Sequence, residues 1–465
     1  MTDKRTDSRK AAFDALMRVE SGGYSTLTLD GALSCANLPR SEKALASALF
    51  YGCLERRILL DEIIRQFCPK KLERRVEIIL RLGLYQMLFL DRVPDRAAVD
   101  ESVRLCGRAG CGRASGLVNA VLRTFARADK KYSLPGREES LPGHLSIKYS
   151  CPEWIVNLWL KSYGEEICES TLQSIAGSPD VFIRVNNMRA TAGELTRKLG
   201  ERGVKATGLP WLDDGLKLDF SGGQGGGVTD LPEFREGLFH VQDASSQLCC
   251  ALLGSRAGEV ICDVCAAPGG KSFTLAELAG DDCALHAWDI NPRRVALIQS
   301  GAERLGLNSI STAVRDATAF GRENPAPTDN AHFVGVGSSH PLADRVLCDV
   351  PCSGLGVIRR KPDIMLKKPD ELAGLPALQL KILEASADLL RPGGTLVYST
   401  CTLNPAENGG VAARFLASHP DFEAVALALP VGIERIIGEP DNQITLFPHI
   451  ARTDGFFIAK FTRKV

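Results

Sequence analysis

Two cysteine-bearing segments carry the strongest chemical signal in this chain. They are Asp349-Val350-Pro351-Cys352-Ser353-Gly354 and Tyr398-Ser399-Thr400-Cys401-Thr402-Leu403-Asn404-Pro405. Each follows a short apolar run that reads as a strand. Strand ends on one edge of a parallel sheet turn their loops into a common cleft, so these thiols can be distant in sequence and close in space. Cysteine is often a buried core filler, and for either residue alone that reading competes. Their joint placement on ligand-binding loops beside Asp349 favours chemistry. A stabilised thiolate is a good covalent catalyst. Added to carbon 6 of a cytosine, it would make carbon 5 nucleophilic, and a carboxyl group near ring nitrogen 3 would balance the developing charge.

A second motif, Asp263-Val264-Cys265-Ala266-Ala267-Pro268-Gly269-Gly270-Lys271, leaves an apolar strand and opens a helical pattern. Its small residues let the backbone turn tightly and approach a ligand. A plain strand-to-helix turn would satisfy the same residues. Asp289, at the end of the next expected strand, adds a carboxylate suited to ribose hydroxyls, and Asp316 after the third can read an adenine edge. Neither a GxGxxG fingerprint nor a GxxxxGK[ST] loop accompanies them. An adenosyl ligand without pyrophosphate therefore ranks above a dinucleotide or a nucleoside triphosphate.

The elements that must hold these groups begin near residue 241. Strands are expected at 259–264, 283–288, 310–314, 345–350, 395–399 and 456–461, with helical patterns such as KSFTLAELAG and PRRVALIQSGAERLG between them. That alternation predicts a doubly wound, Rossmann-like α/β domain over 241–465. Residues 1–130 read as an all-α bundle, with one-sided stripes such as Ala12, Leu16 and Val19 and an apolar run from Val76 to Leu90. A polar, Pro- and Gly-containing connector is expected at 131–150, and a small α+β module at 151–240. The stretch 321–342, with His332 and His340, reads as a surface loop.

The chain of 465 residues is 45% apolar and has a formal net charge of zero. It can build several cores and is not of disordered composition. Residues 1–130 hold 23 Lys and Arg against 16 Asp and Glu, an Arg-rich excess compatible with phosphate backbones or with a solvated helical surface. The opening MTDKRTDSRKAAF lacks the apolar core of a signal peptide, and no apolar run reaches membrane-spanning length. A reducing cytoplasmic setting without a membrane partner is expected for the 15 cysteines. Cys249, Cys250, Cys262 and Cys265 lack the spacing of a zinc site, and no metal is expected.

Taken together, DxCAAPGGK, DxPCSG and STCTLNPAEN resemble the motifs of the bacterial 16S ribosomal RNA cytosine-C5 methyltransferases, the Sun-like family. Residues 1–130 resemble the RNA-binding helical domain of the NusB antitermination factor, and the middle module resembles the family's small RNA-contacting domain. The resemblance implies S-adenosylmethionine as methyl donor, held by Cys265, Ala266, Ala267, Pro268, Gly269, Gly270 and Lys271, with Asp289 on the ribose and Asp316 near the adenine amine. It implies that Asp349 contacts the target cytosine, Cys401 bonds carbon 6, and Cys352 assists elimination through base catalysis. The residues alone do not choose between the two thiols. His240 to Gln247 resembles the family's entry segment, with helix capping as the plainer reading of Asp243. Arg359, Arg360 and Lys361 are expected on RNA phosphates, with Lys367 and Lys368 extending that surface or simply solvated. The implied partner is 16S rRNA or an early small-subunit assembly intermediate, and no DNA. The family's aromatic is missing from IMLKKPDEL, and the 321–342 loop is longer than usual, which bears on RNA fit. A tRNA substrate and a noncatalytic RNA-binding assembly factor stand as alternatives.

Overall fold

The computed structural model describes residues 7–21, 28–29, 31–33, 38–221, 227–319, 342–433 and 441–465. The expected loop at 321–342, with His332 and His340, lies outside the described residues except for Leu342. Two compact units form: Met1–Gly177 with Ile358–Lys368, and Ser178–Val357 with Pro369–Val465.

The first unit is helical. The helices Ser8–Val19, Arg40–Glu55, Arg57–Phe67, Arg74–Phe89, Asp95–Arg108 and Ser115–Arg127 enclose one apolar core. Leu16, Phe50, Ile63, Ile79 and Phe125 are among its buried members. Buried Arg81 joins Asp61 at 2.5 Å and Glu20 at 2.8 Å, so its charge is paired where water is scarce.

The unit continues past the expected connector. Leu141–Tyr149 is a helix, capped by Ser140 Oγ, which accepts from Gly143 N at 3.1 Å. Ile58 N donates to Ser150 Oγ at 2.9 Å, and the helix Glu153–Ser174 follows, kinked at Gly164. Pro142 and Gly143 read as breakers in sequence, but proline in a first helical turn sacrifices no helical hydrogen bond. The segment 358–368 also packs here, with Leu366 against the bundle core.

In the second unit, a small antiparallel sheet comprises β1 (Val181–Val185), β2 (Lys205–Leu209), β3 (Leu212–Asp219) and β4 (Phe239–Val241), in the order β2-β3-β1-β4. Helix Ala192–Glu201, opened by the Thr191–Glu194 capping box, covers it through Leu195 and Leu199.

The main sheet uses β5 (Val260–Asp263), β6 (Ala284–Asp289), β7 (Ile310–Val314), β8 (Ala343–Asp349), β9 (Leu390–Thr400), β10 (Phe422–Ala424), β11 (Gln443–Leu446) and β12 (Phe456–Arg463). The order is β10-β12-β9-β8-β5-β6-β7, with β11 paired to β12. Strands β9, β8, β5, β6 and β7 are parallel, and β12 runs antiparallel to β9. Consecutive residues enter opposite cores: Ile261, Leu347, Val397 and Ile458 join one, while Cys262, Val346, Leu396 and Phe457 join the other. Burial on both faces explains why these strands read as continuous apolar runs.

No helix among the described residues is long and apolar enough to cross a membrane.

Candidate active site

Ligands of a doubly wound sheet bind beyond the carboxyl ends of its strands. There, β5 ends at Asp263, and the turn to helix Gly270–Leu278 runs through a cis Ala267–Pro268 bond. Gly269 has φ 112°, and a Cβ there would lie 2.4 Å from the Phe273 ring. Glycine is thus required for both the backbone angle and the close approach. Ala266 N donates to Trp288 O at 2.8 Å, tying the loop to β6. Ser272 Oγ donates to Asp263 Oδ2 at 2.7 Å, and burial pushes the Asp263 carboxyl up to about 7.

Asp289 ends β6. Arg294 Nη1 lies 3.2 Å from its Oδ2, while Arg294 Nη2 donates to Ala267 O at 2.7 Å. One guanidinium therefore joins the turn to the acid. Asp316 lies two residues beyond β7, and its Oδ1 accepts from Thr318 N and Oγ1, each at 2.8 Å. A glycine-lined turn flanked by carboxylates at successive strand ends offers acceptors for ribose hydroxyls and an adenine amine. This donor set fits S-adenosylmethionine.

Lys271 is more than a turn residue. Its Nζ donates to Asp349 Oδ2 at 2.7 Å and lies 5.2 Å from the Phe456 ring centroid. Ser399 Oγ donates to Asp349 Oδ1 at 2.7 Å. Both carboxylate oxygens are therefore held, and the glycine turn is coupled directly to the end of β8. Sequence reading placed Lys271 in the turn but could not see this pairing across 78 residues.

Cys352 and Cys401 meet: their sulfurs are 3.3 Å apart and share a hydrogen bond. Val350 N donates to Ser399 O at 3.2 Å and Gly356 N to Cys401 O at 3.0 Å, so backbone bonds fasten the two loops. Ser353 Oγ and Thr402 Oγ1 lie 2.6 Å apart. Buried Glu407 is the common acceptor beneath them, receiving Ser353 N, Gln379 Nε2 and Asn404 Nδ2, each at 2.8 Å. Glu407 stands within STCTLNPAEN, but nothing in that string reveals that its carboxyl is buried.

A Cβ on Gly356 would fall 1.9 Å from the Gly455 carbonyl oxygen and 2.9 Å from that of Cys401. Gly356→Ala should therefore displace the Cys401 loop, lower stability by roughly 1–3 kcal/mol and slow catalysis. Denaturant unfolding and single-turnover assays would measure both; wild-type values in each would refute the close-packing argument.

The segment His240–Gln247 serves two structural ends. Asp243 caps helix Ala244–Leu253, accepting from Ser245 N at 2.9 Å, and also receives Asp454 N at 3.2 Å. His240 and Gln242 meet Thr274, while Arg184 of β1 donates to Glu277 at 2.9 Å. The small sheet is thereby fastened to helix Gly270–Leu278. Arg359, Arg360 and Lys361 lie in the segment grouped with the helical unit, as do Lys367 and Lys368. Cys249, Cys250 and Cys262 are buried, and no cluster among the described residues could hold a metal ion.

The parallel sheet, the glycine turn with its acidic strand ends and the adjoining thiol pair define an S-adenosylmethionine-dependent methyltransferase domain. A family model described as 16S rRNA methyltransferase RsmB/F matches residues 250–462, a NusB family model matches 6–127, and an RsmF/B-like, ferredoxin-like domain model matches 151–222. The probable ribosomal RNA small subunit methyltransferase B of Bacillus subtilis is 36% identical, covering 99% of this chain and 100% of the relative. Its namesake from Synechocystis is 35% identical, over 98% and 99%. A methyltransferase homolog protein from Pyrococcus horikoshii matches in structure with a TM-score of 0.56 and 26% identity, covering 69% of this chain and 98% of that one. The chain belongs to the RsmB/F family of 16S rRNA methyltransferases.

Proposed function

We propose that this protein transfers a methyl group from S-adenosylmethionine to carbon 5 of a cytosine in 16S rRNA. The observation that carries the reading is the pair of sulfurs 3.3 Å apart beside Asp349 and Lys271. Cys401 adds to carbon 6 as the thiolate, and Asp349 faces the ring nitrogen and amine edge to orient the base and balance its charge. Carbon 5 then accepts the electrophilic methyl group that S-adenosylmethionine supplies when bound. Cys352, as its thiolate, takes the carbon 5 proton, and departure of Cys401 as the thiolate restores the aromatic ring. Cys352, next to the departing sulfur, assists that release.

Asp289 holds the ribose and Asp316 the adenine amine. The exposed side chain of Ile290, next to Asp289, offers the adenine an apolar face. Arg359, Arg360 and Lys361 steady RNA phosphates from the segment that packs with the helical unit. Free 16S rRNA or an early assembly intermediate is the substrate, which places the enzyme in the cytoplasm.

Transfer of label from S-adenosylmethionine to 16S rRNA lacking the modification tests the reaction. Site-resolved cytosine methylation mapping in deletion and complemented cells tests the substrate. Methylation confined to tRNA would overturn the rRNA assignment, and RNA binding without transfer at any assembly stage would overturn the enzyme.

Asp289→Ala should weaken S-adenosylmethionine binding by roughly 1.5–3 kcal/mol, the usual worth of hydrogen bonds to a charged group. Isothermal titration of the folded variant measures this, and an unchanged affinity would remove Asp289 from the ribose role.

A further inference from the structure

Asp349 and Ser399 are register partners at the ends of the parallel strands β8 and β9. Side chains two residues apart on a strand share a face. Leu347 and Val397, two residues earlier, lie in one core, and Cys401, two residues beyond Ser399, packs against the same core. Asp349, Ser399 and Cys401 therefore follow one face of the sheet, at the point where its apolar residues give way to polar ones. Ser399 is buried, and its Oγ donates to Asp349 Oδ1 at 2.7 Å. Lys271 Nζ donates to the other oxygen, Oδ2, also at 2.7 Å.

The two donors do different things. An ammonium is a compact charge with rotatable donors on a flexible stem, so Lys271 neutralises the carboxylate without choosing its plane. The last torsion of an aspartate side chain is soft, and one such bond leaves the plane free to turn. The Ser399 hydroxyl stands one carbon from a backbone that is itself fastened, since Val350 N donates to Ser399 O at 3.2 Å. A bond from that fixed origin to the second oxygen sets the plane, and each oxygen keeps lone-pair sites for a substrate. Cys249 also lies beside Ser399, but burial pushes its thiol up to about 12, so it stays a neutral S–H and Asp349 is the charged acceptor.

We propose that Ser399 is a positioning residue for methyl transfer: it sets the plane of the Asp349 carboxylate, so that the carboxylate meets the nitrogen edge of the target cytosine while Cys401 meets carbon 6. This rests on the methyltransferase reading above and adds to it the group that aims its carboxylate. Ser399 acts through Asp349 and takes no part in the bonds that form and break. The gain is one of orientation, because a base held at its nitrogen edge and at carbon 6 together presents carbon 5 in one direction only.

The test is a double-mutant cycle on the full-length protein: wild type, Ser399→Ala, Asp349→Asn and the double variant. Single-turnover methyl transfer to 16S rRNA lacking the modification is followed as RNA and S-adenosylmethionine are varied. Ser399→Ala removes one oxygen atom and should lower the maximal rate by roughly 10- to 100-fold, the effect of a misplaced reacting group. Half-saturating concentrations of both ligands should stay within about twofold of wild type, because ground-state binding is not what is lost. In the Asp349→Asn background the same change should cost less than about twofold, since no carboxylate remains to be aimed. A hydroxyl needed only for packing would slow both backgrounds alike, so equal losses would overturn the proposal. A wild-type maximal rate in Ser399→Ala would overturn it as well, and so would a defect confined to half-saturation by either ligand. Failure of the enzymatic reading looks different: the wild-type protein itself would methylate no RNA.

Discussion

Cys401→Ala should abolish methylation and form no denaturation-resistant complex with RNA. Without the thiolate, carbon 5 is not activated, and loss of a covalent path costs on the order of 10⁴-fold or more in rate. Cys352→Ala should behave differently. Attack and methyl transfer still proceed, but elimination slows, so a protein–RNA complex carrying a methylated cytosine accumulates. The 3.3 Å separation of the sulfurs makes this contrast a strict one, because either thiol is close enough to be mistaken for the other. Peptide mapping of the trapped complex decides the matter. Attachment at Cys401 supports the assignment. Attachment at Cys352 in the wild-type enzyme, or normal turnover by folded Cys401→Ala, would overturn it.

Asp349→Asn should reduce methyl transfer by on the order of 10²–10⁴, the range for losing a positioned proton-handling group. The same change damages stability, since it leaves Lys271 facing an amide. The two side chains are only 14% and 26% exposed, so the unpaired ammonium remains poorly solvated. Removing one partner of a fully buried pair costs about 3–5 kcal/mol, and the partial exposure here reduces that to roughly 1–3 kcal/mol. The double variant Asp349→Asn with Lys271→Met separates the two effects. Methionine fits beside Phe456 and removes the orphaned charge, so stability should recover in part. Activity should not recover, because the base has lost its carboxylate. Denaturant unfolding and single-turnover kinetics on all three proteins would show this. If activity returned with stability in the double variant, Asp349 would be a structural residue only.

The catalytic domain was legible because its signals are local. Strand-length apolar runs, glycine turns and intervening helical periods are written within a few residues, and six expected strands appear within a few residues of their expected ends. The small sheet was read less completely. VFIRVNN, at 181–187, reads as a strand and holds β1, but LDDGLKLD carries acids and a glycine that disguise β3, and three-residue β4 is too short to show alternation. Their pairing is set by burial of Leu212, Leu216 and Leu218 and by contact across the sheet, which outweigh intrinsic preference.

The chain's chemistry was likewise determined by sequence in part. The residue types and their placement at strand ends put two thiols, an acid and a glycine turn on one edge of the parallel strands. Only the tertiary structure decided that Lys271 answers Asp349, that Glu407 underlies both cysteine loops, and that 141–177 and 358–368 continue the helical unit. These are choices of partner between groups tens of residues apart. A charged side chain looks the same in sequence whether it is solvated or buried; its role is settled when packing removes water and leaves it one partner to bond.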